Sequence, residues 1–449
     1  MSGRGAAAYL AMLAVAVAAY LAIRTAGQHL VAPPPPAGQV LFGGPGAVHV
    51  DLLPSVLVAL VAITVVAQVL GRVFLRLGQP PVLGEIVAGI ALGPSLLGRL
   101  SPALSDFLFP AAITSSLHLL AQLGVILFMF LVGIELDPGE LRRHGRATLV
   151  ISHASIVLPF VLGALLGLGL YPRLATSDVP FTAFSLFMGV SMSVTAFPVL
   201  ARILGDRGMQ RSPLGVLALT CAAIDDVTAW CLLAFVVSVV RARALGALVT
   251  TGLVLGYILL VIAVLRPLVA LLARRVERRG ALTQGALALT LLVLLSSALA
   301  TDAIGVHAVF GAFAAGVCIR HDSLLGKELL RRLDDLVVVL FLPAFFVYTG
   351  LRMQLALLDG GWLICGGIIA VASFGKLAGS AVAARLSGLS WRDATSLGVL
   401  MNTRGLMELI VLNVGLELHV LSPTLFAMLV LMALVTTFMT TPALQLLSR

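Results

Sequence analysis

Two acids, Asp225 and Asp226, stand side by side in CAAIDDVTAW (221–230), near the centre of an apolar run from Leu214 to Val240. About 20 apolar residues suffice to cross a bilayer, and an Asp at the centre of such a helix costs roughly 2.5–3.5 kcal/mol to insert. Acids retained at that cost mark proton relays and ion pathways by default. Neighbouring residues point about 100° apart around a helix axis. The two carboxylates therefore cannot serve one partner in the same way: one can line an aqueous cavity while the other meets a neighbouring helix.

Lys376, in SFGKLAGS, lies near the middle of another apolar run, 362–385, whereas the second lysine, Lys327, falls in a loop. A buried ammonium needs an acid, and the Asp pair is the natural candidate. Gly375 and Gly379 flank the lysine and permit close helix approach. A third constellation is MNTRGLMELIVLN (401–413). Arg404 and Glu408 are four residues apart and share a helix face, so they can pair. Asn402, Thr403, Arg404 and Gly405 crowd polar groups and a glycine into a span, which predicts a broken helix lining a cavity or buried in protein. GVSMSVTAFPVLARI (189–203) is its counterpart, with Ser191, Ser193, Thr195 and the breaker Pro198. Paired breaks point to a substrate site whose half-helix termini carry partial charges, which Arg404, Glu408 and Asn402 are placed to compensate.

Other polar residues carry less. Glu85 lies close to the start of its helix and reads as interfacial or intramembrane equally well. His153 reads as a satisfied helix histidine, and Asp334 and Asp335, next to Arg331 and Arg332, as a solvated loop cluster. Cys221, Cys231, Cys318 and Cys365 sit in apolar runs without a CxxC pair, so they are expected to form neither a disulfide nor a structural metal site, and no cofactor is expected. HExxH and GxSxG are absent, and no further acid follows the Asp pair within reach. An enzyme is not expected.

The elements that must position these residues are membrane helices. The 449-residue chain is 60% hydrophobic and 11% charged, against about 25% charged in soluble domains. Apolar runs at 6–23, 50–76, 80–98, 115–135, 146–170, 180–204, 212–240, 245–273, 281–300, 303–320, 333–355, 362–385, 391–417 and 422–447 predict fourteen helices. The first, followed by the Pro/Gly-rich linker Val31–Gly46, is expected to be a retained anchor helix rather than a cleaved signal, which makes 1–49 an N-terminal extension of a membrane domain at 50–447. The last ends almost at Arg449, so no cytosolic regulatory tail is expected. A net charge of +9 reflects loop arginines rather than nucleic-acid binding. Taken alternately, the loops hold eighteen Lys and Arg on one side and only Arg99, Arg173, Arg241, Arg243 and Arg352 on the other. That bias puts the first side, and the C-terminus, in the cytoplasm.

A weak internal repeat is visible. VLGEIVAGI (82–90) resembles VFGAFAAGV (309–317), and VILF (125–128) resembles VVLF (338–341). Seven helices separate equivalent members. An odd number implies inverted halves, about 50–240 and 281–447, with a site near the midplane between them.

Together the motifs GQPPVLGEIVAGIALGPSLLG, LGVILFMFLVGIEL, SVTAFPVLARIL, AAIDDVTAW, FGKLAGS and NTRGLMELIVLN, in this order over residues 50–447, resemble the second branch of the monovalent cation:proton antiporter superfamily. That branch includes bacterial sodium/proton antiporters, glutathione-gated potassium efflux systems and plant cation/proton exchangers. The resemblance implies an all-α polytopic membrane protein: a thirteen-helix inverted-repeat core with two crossed, broken helices (180–204 and 391–417), a six-helix transport domain and a dimerisation domain that makes a homodimer. It implies that Asp226 binds the cation or proton and that Lys376 pairs with Asp225. Asp225 matches a position that is Asp in electrogenic members and often Asn in electroneutral ones. With Thr195 beside them, Asp225 and Asp226 are the expected site for a monovalent cation, sodium or potassium. No counterpart of the long tails of the potassium efflux and plant relatives is expected here. The expected activity is exchange of that cation for protons across the cell membrane by alternating access. Proton-driven efflux of an organic ion, or a gated potassium pathway, would fit the same fold.

Overall fold

The structure is a computed structural model that describes residues 3–28, 30, 52–135, 146–176, 179–210, 212–241, 246–305, 307–358 and 360–448. The linker Val31–Gly46 and Arg142, Arg143, Arg211 and Arg243 lie outside the described residues. Among the described residues every regular element is a helix. In chain order they are α1 (Gly3–Gly27), α2 (Leu52–Arg76), α3 (Pro81–Leu92), the short α4 (Leu97–Leu100) and α5 (Pro102–Leu108), α6 (Thr114–Glu135), α7 (Arg146–Leu174), α8 (Phe181–Ser193), α9 (Phe197–Asp206) and α10 (Pro213–Arg241). There follow α11 (Gly246–Leu260), α12 (Arg266–Arg279), α13 (Gln284–Ile304), α14 (Ala308–Val317), α15 (Leu324–Leu336) and α16 (Leu342–Leu351). The last four are α17 (Trp362–Leu386), α18 (Trp391–Met401), α19 (Leu406–Glu417) and α20 (Pro423–Ser448). One π-helical turn joins α11 to α12 and another joins α15 to α16, so each pair runs as one long rod.

Among the described residues eleven helical segments are long and apolar enough to cross a membrane, and the α18–α19 pair, bent by 44°, makes a twelfth. Two shorter apolar helices, Ala11–Gly27 and Ala308–Val317, complete the fourteen expected segments. The loop assignments of Lys327, Asp334 and Asp335 fail: all three are helical, in α15. The Ser323 hydroxyl caps the helix by accepting from Gly326 N–H at 3.1 Å, which starts it nine residues before the apolar run begins. Arg331 and Arg332 turn to Glu328, at 2.8 and 3.3 Å, rather than to the two aspartates.

Burial sorts the helices. In an apolar 18-residue window of each span, only 6% of residues are buried in Gly252–Arg279, against 89% in Phe181–Gly205. The first turns Leu255, Leu259 and Ile262 outward, an apolar surface of the kind that faces lipid or a partner rather than water. The second, together with α16 and the first eleven residues of α19, is enclosed nearly all round. Helices that are apolar on every face belong at the centre of a bundle, and it is these that carry the breaks. The N-terminal α1 lies against α7 and α8. Tyr20 OH donates to Thr182 O at 3.2 Å, and the Tyr9 ring meets His153 edge-on. His153 is satisfied as expected, through Leu149 O at 2.9 Å.

The two similar nine-residue stretches pack alike. In the first, a Cβ on Gly84 would sit 2.5 Å from Leu70 O of the preceding helix; in the second, one on Gly311 would sit 2.1 Å from Ser297 O of its own preceding helix. The later glycines cross over. Gly89 abuts α16 at Phe346 O (2.4 Å for a Cβ), and Gly316 abuts α6 at Phe130 O (2.2 Å). Each half thus lends its small-residue face to the other half, and any side chain at these positions would meet backbone that cannot move aside.

Candidate functional site

The site begins with two interruptions. Helix α8 stops at Ser193, and Val194 and Ala196 are extended (φ −68°, ψ 137° and φ −89°, ψ 96°). Pro198 falls in the first turn of α9, where no intrahelical N–H is needed. It therefore starts the second half-helix rather than kinking a continuous one. Helix α18 stops at Met401, and α19 resumes at Leu406. Ala196 N–H donates to Thr403 O at 2.9 Å, so the breaks bind each other. A Cβ on Gly405 would come 2.7 Å from Val199 Cγ2, which explains glycine at the closest approach.

Asp225 faces this crossing and is completely buried with Lys376. Ser152 and Ser155, on one face of α7, donate to its Oδ1 and Oδ2 at 2.5 and 2.6 Å. Lys376 Nζ lies 3.1 Å from Oδ2, 2.6 Å from Thr195 Oγ1 and 3.5 Å from Ser155 Oγ. The ammonium's three donors thus meet three oxygens. The Thr195 hydroxyl donates to Asp225 Oδ2 at 2.9 Å or to Met401 O at 3.1 Å. Lys376 reaches this depth because α17 packs tightly on α7. A Cβ on Gly375 would be 2.9 Å from Pro159 Cα, and one on Gly379 2.6 Å from Ala154 O. The glycines flanking the lysine thus act as their spacing predicts.

Asp226, the next residue, has the opposite surroundings. It is 3% exposed, and neither carboxylate oxygen has a hydrogen-bond partner among the described residues. The nearby positive groups are Lys376 and the backbone N–H of Phe197, the first residue of α9, which acts on the carboxylate without meeting hydrogen-bond geometry. A buried, unpaired carboxylate is not stable bare. It must hold a proton or a cation. The adjacent acids therefore differ: Asp225 is tied into a satisfied network, and the Asp226 carboxylate has no partner among the described residues.

Arg404 closes the far side of the crossing. It is fully buried and donates through Nη1 to Ser191 O at 2.7 Å and through Nη2 to Met192 O at 2.6 Å. These are terminal carbonyls of α8, the negative end of its dipole. Nη1 also meets Glu408 Oε2 at 2.9 Å, and Glu408 sits in the first turn of α19. Thr437 of α20 brackets the Arg404 backbone, accepting from its N–H at 2.8 Å and donating to its O at 2.7 Å. Arg404 and Glu408 thus compensate the broken ends. Asn402 does not join them, since its side chain makes no hydrogen bond among the described residues. Truncating Arg404 to Met would leave Glu408 and two helix-end carbonyls buried without a partner. Unpairing a buried ion pair costs about 3–5 kcal/mol, so the Met variant should unfold several degrees or more below the wild type in a thermal melt, and Glu408→Gln, which keeps an acceptor, should lose less.

Two features carried no sequence signal. Glu417, at the end of α19, is held by His118 of α6 (4.0 Å), His307 just before α14 (3.7 Å) and Arg352 just after α16 (3.7 Å). The cluster borders a small cavity of about 30 Å³, enough to hold a water. At the opposite end of the crossing a cavity of about 610 Å³ opens between the α2–α3 turn, α9 and α20. Gln79 and Arg207 on its wall donate to Phe438 O (3.3 Å) and Thr441 O (2.8 Å). Phe438 O is the carbonyl that Pro442, lacking an N–H, cannot serve within its own helix. The two cavities thus differ greatly in size, and neither is lined by Asp225, Asp226, Thr195 or Asn402.

The profile of the family described as "Sodium/hydrogen exchanger, transmembrane" matches residues 48–447. The chain belongs to the sodium/hydrogen exchanger family. Among its curated relatives, the Na(+)/H(+) antiporter NhaS4 of Synechocystis sp. is 43% identical over 396 residues, which cover 87% of this chain and 97% of that protein. Cation/H(+) antiporter 18 of Arabidopsis thaliana is 41% identical over 396 residues, 87% of this chain but 48% of its own length. K(+)/H(+) antiporter 1 of Saccharomyces cerevisiae is 36% identical over 386 residues, 83% of this chain and 44% of its own length. The chain thus spans about half the length of these plant and yeast members of the family. The solved structure of the sodium proton antiporter MjNhaP1 from Methanocaldococcus jannaschii shares the exchanger fold, with a TM-score of 0.63, 14% identity, and coverage of 89% of this chain and all of that one.

Proposed function

We propose that this protein exchanges a monovalent cation, sodium or potassium, for protons across the cell membrane, with Asp226 as the carrier carboxylate. The observation that carries the reading is the buried, partnerless Asp226 carboxylate, one residue from the Asp225–Lys376 ion pair, at the crossing of two broken helices. The names of the relatives, sodium, potassium and cation antiporters among them, support the substrate class.

Proton and cation compete for Asp226. Each neutralises the carboxylate, and neither can be held while the other is, so movement of one is coupled to return of the other. Alternating access follows if the crossing opens in turn toward each side, and the unequal cavities near Arg207 and near Glu417 support such an asymmetry. The loop charge bias assigns the Arg207 end, and the C-terminus, to the cytoplasm. Lys376 and Asp225 satisfy each other while the cation is away. A cation that draws Asp225 into its coordination leaves the ammonium unpaired in a low-dielectric site, where it gives up its proton. More than one proton then moves per cation, and exchange is electrogenic. The protein is a transporter rather than an enzyme, it works as a homodimer, and its first helix is a retained anchor, as its packing on α7 and α8 supports.

The test is exchange in proteoliposomes under an imposed membrane potential. Sodium- or potassium-dependent proton movement should appear and should speed up or slow down with the sign of the potential. Exchange that ignores the potential would refute electrogenicity, and no exchange with any monovalent cation would refute the function.

A further inference from the structure

Asn402 is the polar side chain of the second break that the ion-pair networks leave out. Its Oδ1 is buried without a hydrogen-bond partner, in a residue only 5% exposed. An unpaired buried acceptor costs about 1–3 kcal/mol. Thr195, Ser152, Ser155, Lys376 and Thr437 all bond within the crossing, whereas Ser191 Oγ and Glu408 Oε1, on the Arg404 side, share the unpaired condition among the described residues. Hydrogen bonds on either side fix where Asn402 lies. Met401 O accepts from Thr195 Oγ1 at 3.1 Å, and Thr403 O accepts from Ala196 N–H at 2.9 Å. Asn402 therefore spans the Thr195–Ala196 step of the first break. From that step the chain leads directly to Phe197, whose N–H acts on Asp226, and Thr195 itself touches Asp225. Both oxygens of Asp226 and the Oδ1 of Asn402, buried acceptors with no donor, belong to one crossing.

We propose that Asn402 supplies a side-chain oxygen to the transported cation alongside Asp226, and that it sets which monovalent cation the site prefers. The proposal rests on the exchange reading for its substrate. An amide oxygen suits the role because it coordinates an alkali cation without adding charge, and the number and spacing of such oxygens decide how well a site replaces the hydration shell of one ion against another. The same oxygen serves the other half of the cycle. When Asp226 is protonated its O–H becomes a donor, and Asn402 Oδ1 is an unpaired acceptor of the same crossing. Cation and proton would thus find the same partner, which keeps the two occupied states close in free energy.

The test separates binding from transport. Purified protein is melted in a titration of sodium, potassium or lithium chloride, with choline chloride holding ionic strength, and exchange is then measured with the same cations in proteoliposomes. Asn402→Leu keeps the side-chain size and removes the oxygen. It should raise the half-saturating cation concentration about tenfold, equivalent to ~1.4 kcal/mol, and change the order of preference among the three ions. Asn402→Ser and Asn402→Asp, which keep an oxygen, should recover cation binding with a preference of their own. A folded Asn402→Leu protein with wild-type half-saturation and wild-type preference overturns the proposal. If that variant does not fold, the Ser and Asp variants decide: an unchanged preference in both overturns it, and a changed one supports it. Failure of the exchange reading is distinguishable, because it would appear in the wild type as no cation-dependent stabilisation and no exchange.

Discussion

Asp226→Asn should leave a folded membrane protein that no longer exchanges cations for protons. The substitution is close to isosteric, and Asp226 makes no hydrogen bond among the described residues, so no structural contact is lost. The change also removes a charge that is costly to bury, so thermal stability should hold or rise slightly. Transport has no such reserve. An amide carries no charge to balance a cation and cannot take up or release a proton in the working pH range. Cation-dependent proton movement in proteoliposomes should fall to the rate of empty vesicles at every pH and with every monovalent cation. Cation-dependent thermal stabilisation should disappear with it. A variant that melts like the wild type yet retains a tenth or more of its exchange would move the carrier role elsewhere. Asp225→Asn cannot substitute for this test, because Asp225 accepts from two serines and a lysine, and its loss alters structure and function together.

The spans were legible because a bilayer imposes a strong pattern: about 20 apolar residues between charged loops. All fourteen expected segments contain a helix. Asp225, Asp226 and Lys376 were legible for the same reason turned round, since a charge in an apolar run stands out. The breaks at Thr195 and Asn402–Gly405 followed from polar residues and glycine in the wrong place for a continuous helix. What escaped was whatever depends on which faces meet. Ser152 and Ser155 are ordinary residues in an apolar helix until α7 turns them onto Asp225; their three-residue spacing, one face of a helix, was the available signal. His118, His307, Arg352 and Glu417 come from four separate stretches of chain, each at or near a helix end, where charge is expected and carries no information. The helical Asp334 and Asp335 escaped because α15 begins as an amphipathic surface helix capped by Ser323, ahead of the apolar run that marked the span. Asn402 was grouped with Arg404 by proximity in sequence, yet Arg404 alone reaches the ends of α8.

Uncoupling exchange from membrane potential should need two substitutions. Asp225→Asn alone leaves the Lys376 ammonium fully buried, with Thr195 and Ser155 hydroxyls but no anion. Removing one member of a buried pair costs about 3–5 kcal/mol, enough to lower the melting temperature markedly and to drive Lys376 to its neutral form. Lys376→Gln alone leaves the Asp225 carboxylate with three hydroxyl donors and no cation, and should destabilise by a similar mechanism. The double variant Asp225→Asn/Lys376→Gln replaces the ion pair with two neutral amides of similar size. Such replacements are often neutral or stabilising once both charges are gone. Its melting temperature should therefore return toward the wild-type value, a coupling that a double-mutant cycle would read as several kcal/mol. Asp226 remains, so exchange should persist, but one titrating charge per cycle has been removed. One proton should then balance one cation, and the rate should no longer respond to an imposed potential, although it should still respond to a pH gradient. If the double variant exchanges cations as electrogenically as the wild type, Lys376 and Asp225 are a structural strut and the second proton travels by another group. If instead it is stable and electroneutral, the choice of Asp at position 225 is what gives this protein its dependence on membrane voltage.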